Sequence, residues 1–390
     1  MRRSLLAYLL FVAVFGTVVG LVHLYLWSRL VRAPELGPAF SRWGGRLAIA
    51  LALAVPLGLV ATAVLPRRFA AVVAYAVYTW VGLAILLFFL LLSGEVVRLV
   101  ARAVEALSTD PADPMRRTLL ARFLAGGSGA LAVAFGGWGL ASVLGPIAVE
   151  RVPVALRRFP KALSGFRLVQ LTDLHIGPTL GKAWLEDVVA RTNALEPDAI
   201  VITGDLVDGS VVDLAEHVAP LAALRARHGI FFVTGNHEYY SGVDEWLAEL
   251  GRLGVRVLRN ERVSIGDGAD SFDLAGIDDW SAKRFGRGHG ADLDRALADR
   301  DTARELVLLA HQPKHIVEAS ARDVGLMLSG HTHGGQIFPW GLFVRLDQPF
   351  VAGLDRVRDT QIYVSRGTGY WGPPMRVAAP PEITLLELSS

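Results

Sequence analysis

The chain opens with hydrophobic runs that lack the polar face of a surface helix and the alternation of a strand. Ser4 to Ser28 holds no charged residue, and Leu47–Leu65 and Phe69–Leu92 are two more uncharged stretches, divided by the polar turn Pro66-Arg67-Arg68. A fourth, Phe123–Val149, is rich in Gly and Ala, which allow close helix approach. Each is long enough for a bilayer span of about 20 residues. Only one acidic residue, Glu35, precedes position 93, a pattern that excludes the buried helices of a soluble domain. Residues 1–150 therefore read as a four-helix transmembrane anchor, with spans at about 4–28, 47–65, 69–92 and 123–149. Met1-Arg2-Arg3 and the run behind it have the outline of a signal peptide, but the run exceeds the roughly 7–15 residues of a signal core. Between the third and fourth spans, Glu95–Leu107 sets Val96, Val97, Val100 and Val104 on one side, the spacing of a short amphipathic helix at the membrane surface. His23 and Pro56, inside spans, read as a packing polar group and a tolerated kink.

Beyond a linker at 151–164 the texture changes, and 165–390 reads as an α/β domain. Phe166–Thr172, Asp198–Thr203 and Gly229–Thr234 are short apolar strands, with helical spacing over Leu185–Ala194 and Val212–Arg227 between them. Each strand ends in a polar cluster: Asp173-Leu-His175, Gly204-Asp205, and Gly235-Asn236-His237-Glu238. Strands alternating with helices imply an open sheet of parallel strands whose ligands bind at the strand carboxyl ends. His175 and Asp205 are one βα repeat apart, as are Asp205 and Asn236, so the three clusters converge. Two further strands, ending in His311 and in Ser329-Gly330-His331-Thr332-His333, extend the pattern. Gly204, Gly235 and Gly330 suit turns that need positive φ.

Composition sharpens this division. Hydrophobic residues make up 52% of the chain and charged residues 19%, with a mean hydropathy of +0.40. Residues 1–150 carry 13 basic and 6 acidic side chains, and the remainder carries 26 and 31. A net-acidic second part argues against a nucleic-acid partner, which needs a basic face. No cysteine is present, which excludes disulfides, thiolate zinc sites and a cysteine nucleophile. Nine of the ten histidines follow residue 150. Four of them, His175, His311, His331 and His333, follow strands and join Asp173, Asp205 and Asn236 as potential ligands. Oxygen donors mixed with imidazole suit Mn, Fe or Zn. Seven ligands exceed the needs of one ion and suit two divalent metal ions that share a carboxylate.

The ordered motifs Asp173-x-His175, Gly204-Asp205-x-x-Asp208-Gly209, Gly235-Asn236-His237-Glu238, His311 and Gly330-His331-Thr332-His333 closely resemble those of the calcineurin-like metallophosphoesterase superfamily. Gly330-His-Thr-His-Gly-Gly-Gln336, Gly276-Ile-Asp-Asp279 and Val364-Ser-Arg-Gly367…Pro381-Glu382 look like its YkuE-like branch and the transmembrane proteins with a metallophosphoesterase domain. The resemblance covers about 160–390 and implies a calcineurin-like α/β metallophosphoesterase sandwich behind the anchor. It implies one metal on Asp173, His175, Asp205 and His333, and a second on Asp205, Asn236, His311 and His331. His237 matches the histidine that faces the leaving group, as the catalytic residue beside a metal-bridging hydroxide. Asp208 or Glu238 would hold His237 or a ligand histidine in its tautomer. Asp278 and Asp279 read as turn caps, and His217, His228, His289 and His315 as surface or helix residues. Of Trp280, Phe285, Phe338, Trp340, Tyr370 and Trp371, most are expected in the core.

The combined reading is a membrane-anchored, binuclear metal-dependent phosphoesterase that hydrolyses a phosphomonoester, phosphodiester or pyrophosphate bond. Its partners are the lipid bilayer and a lipid-linked or small phosphoester substrate. A pyrophosphatase acting on UDP-2,3-diacylglucosamine in lipid A biosynthesis is the more specific alternative implied by some relatives. A non-catalytic metal-binding membrane scaffold is the rival, and it predicts a lost ligand or a lost His237. Basic residues on the two faces of the anchor number eight and nine, too even to orient it. The absence of cysteine and the exported members of the YkuE-like branch favour an extracytoplasmic catalytic domain at the cell membrane.

Overall fold

A computed structural model describes residues 2–107 and 113–390. Met1 and residues 108–112, within the expected anchor, lie outside the described residues. The chain divides into a first compact unit that runs to Ala141 and takes in Gly372–Met375, and a second made of Ser142–Trp371 and Arg376–Ser390.

Four helices build the first unit: α1 (Arg2–Trp27), α2 (Pro38–Val64), α3 (Arg67–Leu107) and α4 (Pro114–Leu144). All four are long and apolar enough to cross a membrane. Pro38 opens α2, where its missing N–H costs nothing, after Gly37 at φ 100°. The third helix differs from expectation. It runs without a break through Ser93-Gly94 into Glu95–Leu107, so the amphipathic stretch is the end of α3 and not a separate surface helix. Polar contacts at that point explain the continuity. The Glu95 carboxylate accepts hydrogen bonds from Tyr25 Oη at 3.0 Å, Arg29 Nη2 at 3.0 Å and Arg98 Nη1 at 2.6 Å, which ties α3 to the end of α1. Between the same two helices, His23 donates from Nδ1 to the Val19 carbonyl and accepts from Trp80 Nε1 at Nε2, 2.9 Å away. Its polarity is satisfied by packing between helices, as a buried polar group in an apolar medium requires.

The second unit is a sandwich of two six-stranded sheets. In chain order its elements are β1 (Ala148–Ala155), β2 (Phe166–Leu171), α5 (Lys182–Asn193), β3 (Ala199–Ile202), α6 (Val211–Val218), β4 (Ile230–Phe232), α7 (Asn236–Ser241), α8 (Val243–Arg252), β5 (Arg256–Val257), β6 (Glu261–Asp267), β7 (Asp270–Gly276), β8 (Leu306–Leu309), β9 (Leu326–Ser329), β10 (Gly353–Val357), β11 (Thr360–Val364) and β12 (Glu382–Ser389). The first sheet has the order β1-β12-β2-β3-β4-β5 and the second β10-β11-β9-β8-β7-β6. The strands that carry the polar clusters are parallel to their neighbours on the motif side: β2 to β3 to β4 in one sheet, β7 to β8 to β9 in the other. The two sheets are the sandwich that the family resemblance implied; strand alternation alone pointed to one open sheet, and the clusters come three from one sheet and two from the other.

The segment expected as a linker contributes β1, which pairs in parallel with β12 from Ala148↔Glu382 to Ala155↔Ser389. Val152 and Val154 point inward between exposed Arg151, Pro153 and Ala155, the alternation of a half-buried strand. Pro153 is tolerated because β1 is an edge strand. The helix expected over Val212–Arg227 stops at Val218 and tightens into a 3-10 turn over Ala219–Ala223, because Pro220 lacks the N–H to continue it.

Between the sheets lies a core that includes Leu168, Val201, Val233, Phe272, Leu274, Val307, Leu328 and Leu386. Phe272 is its aromatic hub, 5.2 Å from Phe159 and 5.3 Å from Phe166 between ring centres. Most of the aromatics expected in the core are not there. Tyr370 is buried, whereas Trp280, Phe285, Phe338, Trp340 and Trp371 are exposed. His315, expected as a surface or helix residue, closes a 3-10 turn and is buried with its ring 5.0 Å from that of Trp280. Replacing Phe272 by Ala should cost about 3–5 kcal/mol of stability, read as a lowered denaturation midpoint of the full chain in detergent. A shift under 1 kcal/mol would show that the sheets do not depend on this contact.

Candidate metal centre

The strand ends place their polar residues in unusual backbone conformations. Asp173, His175, Asp205, His331 and His333 all lie in the left-handed region, with φ between 47° and 70°. Such φ is uncommon outside glycine, costs of the order of 1–3 kcal/mol each, and clusters at functional sites. Hydrogen bonds between loops hold the strained residues: Asp173 N–H donates to Gly204 O at 3.0 Å and His175 N–H to Asp205 O at 3.1 Å. Of the three glycines expected at positive φ, only Gly204 has it. Gly235, at φ −98°, is needed for room, because a Cβ there would collide with the Asp205 carboxylate and backbone. Gly330 is constrained in the same way, by Asp173 and Thr172.

Three groups of possible metal ligands result, each with its ligand atoms within 4.8 Å of one another: Asp173, His175 and His333; Asp205, His311 and His331; and His175, Asp208 and His237. In the first, His175 Nε2 and His333 Nε2 face each other at 3.0 Å, with Asp173 Oδ1 3.4 Å from His333 Nε2. In the second, His311 Nε2 stands 3.1 Å from Asp205 Oδ2. The same Oδ2 is 3.9 Å from His175 Nε2, so Asp205 joins the groups. His311 Nδ1 donates to the Thr203 carbonyl at 2.7 Å, so the neutral ring would carry its lone pair on Nε2. Asn236 Oδ1 is buried without a hydrogen-bond partner among the described residues. Buried polar atoms are rarely left unsatisfied, and this orphan is a donor type a divalent cation takes. The residues present therefore fit a pair of cations.

Around them, Asp208 and Glu238 divide the work. Asp208 Oδ1 accepts from His175 Nδ1 at 3.1 Å and from His237 Nδ1 at 2.6 Å, so one carboxylate sets both tautomers and turns both Nε2 atoms toward the centre. Glu238 holds no histidine. Its carboxylate accepts the backbone N–H groups of Asp205, Leu206 and Gly235 at 3.1, 2.7 and 2.6 Å. Asp278 pairs with Arg259, and Asp279 caps the turn at Ser281. Sequence reasoning missed Arg376. It is fully buried, donates to the carbonyls of His333 and Arg366 at 2.7 and 2.6 Å, and sets Nη2 3.0 Å from His333 Nδ1. Guanidinium has no acceptor, so His333 Nδ1 accepts and its hydrogen sits on Nε2, aimed at His175.

Charges in the metal-free site follow from these neighbours. Burial pulls His311 down, yet Asp205 beside it pushes its pKa well above the usual value. Against the same effect of burial, Asp205 and Asp208 push His237 up to about 9. Burial works to raise Asp205 and Asp208, but the adjoining histidines hold both below the carboxylate range. Burial, then the Asp205 charge, pushes Glu238 up to about 7. Burial, then His311, takes His331 down to about 4, and burial with Arg376 holds His333 well below its usual value.

The His237 shift has a stability consequence. Its folded pKa, about 9, lies above the ordinary 6.5, so its contribution is complete below pH 6.5 and is lost as pH rises through 9. Chelator-treated protein should lose stability between pH 6.5 and 9, measured as a falling unfolding midpoint. Asp208→Asn should flatten that slope by removing one of the carboxylates that raise the His237 pKa. A midpoint flat across the window would contradict the assignment of charges.

Known proteins bear on this geometry directly. Residues 166–335, which contain all five motifs, match the calcineurin-like phosphoesterase family. Over 407 aligned residues, 99% of this chain and 90% of the relative, it is 36% identical to a Danio rerio transmembrane protein with metallophosphoesterase domain. A Bos taurus protein of that name is 45% identical over 65% of this chain and 59% of its own length. The metallophosphoesterase YkuE of Bacillus subtilis is 32% identical over 71% of this chain and 99% of its own. The similarity to the first of these extends over the helices as well as the sandwich. The chain thus belongs to the calcineurin-like phosphoesterases, among the membrane proteins that carry such a domain, and is a phosphoesterase hydrolase.

Proposed function

We propose that the protein hydrolyses a phosphoester carried by a membrane lipid, with two divalent cations held by the strand-end cluster. The observation that carries the metal reading is the Asp205 carboxylate oxygen, 3.1 Å from His311 and 3.9 Å from His175, shared between two ligand groups. One cation would be held by Asp173, His175, Asp205 and His333, the other by Asp205, Asn236, His311 and His331. Such a pair supplies Lewis acidity: it lowers the pKa of water and offsets charge on the phosphoryl oxygens.

The chain's own residues do the rest. Asp208 fixes His237 with its Nδ1–H engaged and favours the imidazolium form. His237 then delivers its Nε2 proton to the ester oxygen as the bond from phosphorus to that oxygen breaks and water adds to phosphorus. Glu238 and the close-approach glycines keep the Asp205 loop in place. Four apolar helices support a substrate resident in the bilayer, since they hold the hydrolase at the surface where lipid phosphates are found.

Asp205→Asn should lower both metal content and turnover, the latter by at least about 100-fold. Two metals per chain with near-normal turnover in that variant would defeat the shared-carboxylate reading. His237→Ala should keep its metals and lose roughly 10²–10⁴ in kcat. That loss should shrink for p-nitrophenyl esters, which leave without a proton; metal loss would instead make His237 a ligand. With Mn present, phosphatidic acid and UDP-linked diacyl sugar should be cut faster than water-soluble phosphates, and the reverse order would remove the lipid.

A further inference from the structure

His237 is flanked by aromatic side chains that the metal chemistry does not use. Tyr240, on the same helix, meets it edge to face with ring centres 5.4 Å apart, and Trp371, beyond β11, does so at 5.6 Å. Phe285 extends the group, 5.5 Å from Tyr240. Burial is the ordinary fate of such side chains, yet Tyr240 is 63%, Trp371 55% and Phe285 40% exposed. They are also held from behind. The Trp371 backbone is clamped at both polar groups by the Gln336 amide, its N–H donating at 3.0 Å and its carbonyl accepting at 2.8 Å. Phe285 rests on Tyr239, 5.5 Å between ring centres. A supported apolar surface that opens onto a buried charged centre has the composition of a ligand subsite.

Two ligand chemistries suit aromatic walls, a quaternary ammonium and an apolar group. The charges select between them. Exposed Lys283, Arg284 and Arg287 share the Phe285 loop. These repel an ammonium ion and attract an anion that carries an apolar substituent.

We propose that Tyr240, Phe285 and Trp371 form the leaving-group subsite: they cradle an apolar alkyl or aryl group esterified to the phosphate and hold its ester oxygen against His237. The inference rests on the reading of His237 as the proton donor to that oxygen. In the reaction the phosphorus–oxygen bond to the apolar alcohol breaks, the His237 proton goes to the alcohol oxygen, and water supplies the new oxygen on phosphorus and releases a proton to solvent. The apolar alcohol leaves across the aromatic surface.

A matched pair of short esters tests this with the full chain in lipid nanodiscs. Hexyl and methyl phosphate have alcohols of similar acidity, so they differ in apolar reach and little else. The expected ratio of kcat/KM, hexyl over methyl, is about tenfold or more for five methylenes even when each is only partly covered. Trp371→Ala and Tyr240→Ala should bring the ratio toward unity through KM for the hexyl ester, while Trp371→Phe, which restores an aromatic face, should retain most of it. Calorimetric binding of hexylphosphonate and methylphosphonate, which are not hydrolysed, should show the same preference and the same loss. A ratio near one in the wild type, a ratio unmoved by both alanine variants, or tighter binding of phosphocholine than of hexylphosphonate overturns the subsite. The two readings fail differently. Hydrolysis with no chain-length preference leaves the phosphoesterase and removes the cradle; a phosphonate preference that depends on Trp371, without turnover of any ester, does the reverse.

Discussion

Glu238 is the hinge on which the centre depends. Its carboxylate has no solvent contact and takes backbone N–H groups from two strand-end loops, Asp205 and Leu206 after β3 and Gly235 after β4. A buried carboxylate is costly unless its lone pairs are satisfied, and three N–H groups meet that need. Through this contact the left-handed Asp205 is held in position, and its own carboxylate in turn accepts the His237 N–H at 2.9 Å. The same set explains why Gly235 has no alternative: the loops approach so closely that a Cβ would displace the Asp205 carboxylate.

Much of the site is legible along the chain because its chemistry is periodic. Polar clusters follow apolar strands at one βα interval, so Asp173, Asp205 and Asn236 must share an edge whatever the details of packing. His311 and His331–His333 follow the same rule, but nothing local says that their strands belong to a second sheet. That division rests on β7 pairing with β8 and on β11 entering beside β9, contacts between segments far apart in sequence. Likewise β1 escapes notice because a strand of Val, Arg and Pro directly after an apolar helix reads as a tether until its partner β12 is known.

The misplacements share a cause. Exposed Phe285 and Trp371 are as apolar as any core residue, and hydrophobicity alone does not tell a buried face from one kept open for a ligand. Arg376 shows the opposite failure. A charge in Pro374-Met375-Arg376-Val377 reads as solvated, yet carbonyls from His333, Arg366 and Gly369 close around it and make burial tolerable. The continuity of α3 through Ser93-Gly94 is hidden for a similar reason, since Tyr25 and Arg29, which meet Glu95, lie on another helix.

The position of β12 bears on how the molecule is made. It lies between β1 and β2, although it is the last strand of the chain. During synthesis the four apolar helices emerge before the sandwich, and β1 follows within a few residues of the fourth. From then until Ser389 leaves the ribosome, β1 has no native partner and β2 lacks one of its two neighbours. Sheets closed by such distant pairing form late, and their unpaired edges are sticky in the interval. The order of strands thus leaves an edge of β1 and an edge of β2 open through nearly the whole translation of the sandwich.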